Sequence, residues 1–112
     1  MRAPELTRRL VLEEAVSLPD GAGGFDVTWS ALGEHWAEVK VATGRERAAD
    51  FATLSTTRFR ITVRAAPDGA PSRPKADQRF RDGARIFRIL AVSEADAAAR
   101  FLTCFAEEEL AA

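Results

Sequence analysis

The sequence predicts an all-β fold: a small antiparallel β-barrel of about six or seven strands, with a short helix on a long inter-strand loop. Three observations carry that expectation. Several segments alternate apolar and polar residues with a period of two, as a strand does when one of its faces is buried. Turn residues separate those segments, most densely at Pro19-Asp20-Gly21-Ala22-Gly23-Gly24 and at Asp82-Gly83. Short strands with little helix must also dispose of their edges, which a sandwich or a closed barrel does.

Composition sets the frame for this. At 112 residues the chain has room for one core, so residues 1–112 are expected to form a single domain. Hydrophobic residues at 46% and charged residues at 29% fit an ordinary globular protein rather than a disordered one. The net charge of -1 gives no overall pull toward nucleic acid or an anionic membrane. Its distribution is uneven. Residues 1–43 hold 4 basic and 7 acidic side chains, residues 44–88 hold 11 and 5, and residues 89–112 hold 1 and 5. Either the molecule has one positive and one negative surface, or its strands carry solvated faces of mixed sign.

Taken in order, Leu6 to Glu13 alternate, with Leu6, Leu10 and Leu12 on one face. The glycine-rich stretch that follows could hold phosphate only if a helix came next. Phe25, Val27 and Trp29 alternate instead, so it is a hairpin connection. After a break over residues 30–34, Trp36-Ala37-Glu38-Val39-Lys40-Val41 alternates again, turning Ala37, Val39 and Val41 inward and Trp36 outward. Thr43-Gly44 ends that strand. Arg45, Glu46 and Arg47 open an excursion over residues 44–54, in which Phe51 and Leu54 stand at helical spacing. Functional contacts are expected there, because a rigid scaffold presents its loops.

The clearest strand follows, with Phe59, Ile61 and Val63 facing inward. Arg58, Arg60 and Arg64 face outward as a basic stripe about 20 Å long. Such a stripe can track a phosphate backbone or meet acidic residues on a neighbouring strand or subunit. Residues 65–77 hold three prolines, Arg73 and Lys75, and form a long surface loop of the kind that is functional or poorly ordered. Residues 78–92 then read as a hairpin turning at Asp82-Gly83. Ser93 to Ala99 allow either a short capped helix or a plain polar connection. Arg100 to Ala106 form the last strand, and Glu107-Glu108-Glu109 are expected to be a solvated, frayed tail.

No catalytic constellation emerges. The one cysteine, Cys104, lies in an apolar run, which fits a small buried hydrophobe and excludes an internal disulfide or a thiolate zinc site. His35 has no partner at a ligand or general-base spacing. Glu13 and Glu14 are adjacent in sequence and are expected at an exposed strand end. No cofactor and no metal are expected. The opening residues lack the apolar core of a secretory signal, and no apolar run nears the ~20 residues of a membrane-spanning helix, so no membrane partner is expected.

Beside this reading stands a resemblance. It rests on Leu6-Thr7-Arg8-Arg9-Leu10-Val11-Leu12-Glu13, on Asp20-Gly21-Ala22-Gly23-Gly24-Phe25 followed by Trp29, and on Trp36-Ala37-Glu38-Val39. It continues through Thr43-Gly44-Arg45-Glu46-Arg47, Thr57 to Arg64, Asp82 to Val92, and Phe101 to Phe105. In order and spacing these motifs resemble the phage head–tail adaptor proteins of the head-closure, or stopper, type. That family is found in long-tailed phages and in phage-like gene transfer agents.

The resemblance implies a non-enzymatic β-barrel subunit at the head–tail interface of such a particle, assembled in the bacterial cytoplasm. It would form a six- or twelve-fold ring with itself, under a portal-side adaptor protein and against a tail terminator or tail protein. Packaged DNA would lie in the channel and be contacted non-specifically. Interface and channel candidates are Trp36, Gly44, Arg45, Glu46, Arg47, Phe51, Arg58, Arg60, Arg64, Arg73 and Lys75. Trp36 either anchors such an interface or is covered by the 44–54 segment. The alternative is a small β-barrel nucleic-acid-binding module that uses the arginine stripe. Exchanging Arg45 and Arg47 together for glutamate is expected to leave the fold intact and to stop heads from joining tails. Normal tailed particles from a folded double variant would remove the segment from the interface.

Overall fold

The computed structural model describes residues 3–42 and 57–109. Six strands make one closed antiparallel barrel: β1 (Arg8–Pro19), β2 (Phe25–Val41), β3 (Arg58–Arg64), β4 (Arg79–Asp82), β5 (Arg85–Glu94) and β6 (Phe101–Glu109). Their order around the barrel is β1-β2-β3-β6-β5-β4, so the short β4 closes the sheet against β1. No helix occurs among the described residues. The helix expected over residues 44–54 lies outside them.

Period-two alternation builds the core as expected. Leu10, Leu12, Phe59, Ile61, Val63, Phe80, Phe87, Ile89, Leu102 and Cys104 all point inward and are buried. Phe59 and Phe87 meet edge-to-face with ring centroids 5.2 Å apart, a favoured aromatic geometry. On β3 the register sets Arg58 against Glu107, Ile61 against Cys104 and Val63 against Leu102 across β6.

Three elements differ from expectation, and at Ser93 to Ala99 one of the two open alternatives holds. The break at residues 30–34 is no break: β2 runs unbroken for 17 residues. Its register against β1 slips between Leu12 and Glu13, which face Gly33 and Ala31, so Leu32 is the extra residue of a bulge. Gly33 takes φ +147°, a conformation that side chains rarely adopt, and this is why a glycine sits at that point. The connection at Ser93 to Ala99 is a plain turn rather than a helix, with the Asp96 carboxylate accepting from the Arg100 and Phe101 amides. Glu107, Glu108 and Glu109 are not a frayed tail but the last rungs of β6. At the 78–92 hairpin the turn residues are Gly83 and Ala84, one position later than Asp82-Gly83.

The bulge divides β1 and β2 into two parts. Up to Glu13 they belong to the barrel, where β1 pairs with β4 and residues 37–41 of β2 pair with β3. Beyond it, residues 14–19 and 25–30 pair only with each other, as a two-stranded arm. Six rungs at ~3.3 Å each carry the arm roughly 20 Å past the barrel. Its tip is closed by Asp20, whose Oδ1 accepts from the amides of Ala22 and Gly24 at 2.8 and 3.1 Å.

Phe80 carries much of the closure, fully buried on a strand of only four residues. Phe80→Ala is expected to lower unfolding free energy by about 3–5 kcal/mol, measured by urea denaturation. A loss below about 1 kcal/mol would show that β4 is not held by this ring.

Candidate functional site

Two surfaces and one anchoring cluster are relevant to function, and the cluster explains the rest. Glu13 stands on the last β1–β4 rung, opposite Arg79. Its carboxylate accepts from Arg79 Nε at 2.8 Å and from Arg81 Nε at 3.0 Å. The residue is 6% exposed, so the structure corrects the expectation of an exposed strand end. Burial works to raise the pKa of its carboxyl. The hydrogen bonds and positive charges of Arg81 and Arg79 outweigh burial and hold it below the usual carboxylate value. Arg79 in turn lies over the Trp29 ring, 4.0 Å from its centroid. The first side chain of the arm's outer face is thus clamped to the barrel through an arginine that Glu13 fixes.

The arm is the first surface. Its register puts Pro19, Ser17 and Ala15 beside Phe25, Val27 and Trp29 on one face. Alternation suggested a core-facing strand, but Phe25 is 68% exposed and Val27 59%. Period two reports that one face is apolar and says nothing of what covers it.

The second surface is the outer side of β2, β3 and β6. Trp36 points outward as expected and is 56% exposed. Arg58, Arg60 and Arg64 face outward along β3 as expected, but they do not form a free stripe. Arg58 reaches Glu107 at 3.9 Å, and Arg64 lies over the Phe101 ring, 5.7 Å from its centroid. Arg60 has no carboxylate partner among the described residues, and its Nε is sealed from water without an acceptor there. Lys40 stands beside it in register, 3.6 Å from Glu38. A cleft of about 290 Å³ runs along this face, lined by Glu38, Lys40, Arg60, Thr62 and Thr103 with Ala3, Pro4 and Ala95.

The basic middle meets the acidic end within the chain at Arg58–Glu107 and Arg85–Glu108, and other charges pair elsewhere. Arg85 donates to both Glu108 oxygens at 2.8 and 3.0 Å, and that bond holds the Glu108 carboxyl below its usual value. Arg88 pairs with Asp77, Arg100 with Asp96 and Arg8 with Asp82. Strand pairing of a basic β5 with an acidic β6 was not evident from segment charges, because it requires the register.

Of the other candidates, Arg73 is used within its own loop, donating to the Ala66 carbonyl at 2.7 Å and pairing with Asp68 at 3.2 Å. Lys75 sits in the same loop and is exposed. Gly44, Arg45, Glu46, Arg47 and Phe51 lie outside the described residues. The structure therefore brings Trp36, Arg60 and Arg64 onto one face and puts Arg73 and Lys75 on the loop over one end of the barrel. Cys104 is buried, and burial pushes its thiol up to about 12, which removes it as a nucleophile near neutral pH.

His35 has a structural use that its isolation in the sequence concealed. Inward on β2, its Nε2 donates to the Ser72 carbonyl at 2.7 Å, and its ring meets Phe80 edge-on. It pins the 65–77 loop across the end of the barrel from which the arm leaves.

Three comparisons bear on this architecture. The model of the family described as phage head completion protein matches residues 1–109. The chain belongs to that family. A chain in the virion of a native gene transfer agent particle is 58% identical, with a TM-score of 0.79, covering 98% of this chain and 100% of that one. The solution structure of protein SF1141 from Shigella flexneri 2a has a TM-score of 0.71 over the full length of both chains. At 23% identity it shows that this head completion protein shares its fold and no more. No curated protein matches. The family resemblance read from the motifs is thus borne out.

Burial lowers the pKa of His35 below its ordinary 6.5, against the opposing effect of its bond to Ser72. The folded state therefore favours neutral imidazole. That contribution to stability is complete above pH 6.5 and is lost as pH falls through the depressed folded value. Urea midpoints measured between pH 7.5 and about 5 are expected to fall in the native chain and to flatten in His35→Gln. An unchanged slope in the variant would exclude His35 as its source.

Proposed function

We propose that this chain is a head-completion connector. It assembles with copies of itself into a ring under the portal complex, closes the DNA-filled head and offers the tail its docking surface. The observation that carries the proposal is the 58% identity, over nearly the whole chain, to a component of a gene transfer agent virion. The geometry supports it. A closed barrel has no long edge left for uncontrolled strand addition, and the arm and loops are free to make specific contacts.

The work is structural and needs no catalysis. Residues 44–54, with Gly44, Arg45, Glu46, Arg47 and Phe51, and residues 65–77, with Lys75, are the segments proposed to reach the channel or the neighbouring rings. Trp36 and the outer arginines of β3 contribute to contacts between subunits. Any contact with packaged DNA is non-specific and secondary, because most arginines around the barrel already have carboxylate partners.

Deleting the gene in a particle-producing host and imaging by negative stain tests the proposal. Tailless or DNA-leaking heads beside free tails are the expected result. Normal tailed particles would overturn it.

A further inference from the structure

The arm over residues 14–30 leaves an apolar face without charge open to water. Phe25 is 68% and Val27 59% exposed, and Trp29 ties its root to Arg79. A lone two-stranded ribbon is marginal in water, and monomers rarely leave such contiguous apolar strips uncovered. Charge narrows what could cover this one.

The arm carries Glu14, Asp20 and Asp26 and no lysine or arginine. Phosphate backbone would be repelled. A second arm laid against it would set acids against acids. The complement lies on the chain's own barrel. The outer face of β2, β3 and β6 exposes the aromatic side chains of Trp36 and Phe105. Lys40, Arg60 and Phe105 share one row across the three strands, and Trp36 lies just beyond the Ala37–Val63 pair, level with Arg64. Arg60 lacks a carboxylate among the described residues.

We propose that the arm docks by its Phe25–Val27 face on the outer β2–β3–β6 face of a second copy of this chain. The inference rests on the connector reading and specifies its ring contact. Donor and receiver are different patches, so the contact is heterologous, and a rotation that closes ends the assembly as a ring. An arm of roughly 20 Å is long enough to lie across the three strands of that face, which are spaced ~4.8 Å apart. Asp20 at the tip stays at the rim, and Glu14 and Asp26 on the reverse face stay in water. There they steer the approach toward Lys40, Arg60 and Arg64 rather than bury charge.

A photo-crosslinking benzoylphenylalanine placed at Phe25 in the particle-producing host tests this, with irradiation of purified particles and mass spectrometry of the products. The expected product joins the arm to a β2, β3 or β6 peptide of another copy. Val27→Asp in the same chain is expected to lower its yield about tenfold or more. Crosslinks to a different protein, to the arm of another copy, or to nothing would overturn the docking while the chain remains in tailed particles, leaving the connector reading intact. Normal tailed particles that lack the chain would overturn both.

Discussion

The carboxylate of Glu13, held between Arg79 and Arg81, is the interaction on which the rest of the architecture depends. A buried charge is tolerated only where partners satisfy it, and removing one partner from such a cluster typically costs about 3–5 kcal/mol. Here the cluster sits where three features meet. β4, only four residues long, closes the barrel against β1 with few rungs of its own. The bulge at Leu12 and Glu13 changes the register of β1 against β2. Trp29 leans on the same Arg79 that Glu13 orients. Closing the sheet and aiming the arm are therefore one event at one carboxylate.

A second constraint is the way charge is neutralised. The sequence sets a basic middle between acidic ends, and folding brings β5 and β3 against β6 so that Arg85 meets Glu108 and Arg58 meets Glu107. Exposed pairs of this kind contribute little stability each. Their effect is on what remains for a partner to see. Once they are cancelled, Arg60 remains without a carboxylate among the described residues on one face, and the acids of the arm stand on another. Residual charge is thus separated in space, which favours unlike patches meeting over like ones.

Much of this was legible in the sequence, for physical reasons that also explain the failures. The strand from Arg58 to Arg64 was read correctly residue by residue, because alternation there is uninterrupted and one face is dry within the monomer. Leu10, Leu12 and Cys104 were placed in the core for the same reason. The continuity of β2 was missed because Ser30 to Glu34 include Gly33, and a glycine that permits a bulge is spelled like one that ends a strand. Glu13 was missed because its partners lie 66 and 68 residues away and become neighbours only when the sheet closes. The acids at 107–109 looked like a tail because the arginines that meet Glu107 and Glu108 come from other strands and become neighbours only through the register.

The arm shows what periodicity measures. Phe25, Val27 and Trp29 alternate as cleanly as Phe59, Ile61 and Val63, yet the second set is buried in the single chain while Phe25 and Val27 face water. A pattern of apolar residues records which side is dry in the working state of the protein, and for a subunit of a particle that state is the assembly. Turned around, the mismatch is informative. A strand face patterned like a core but exposed in the single chain is what the proposed docking would bury. Its rigid mounting through Trp29, Arg79 and Glu13 means that little ordering remains to oppose that burial when a partner arrives. The same barrel that stabilises the single chain thus pre-organises the proposed contact of the arm.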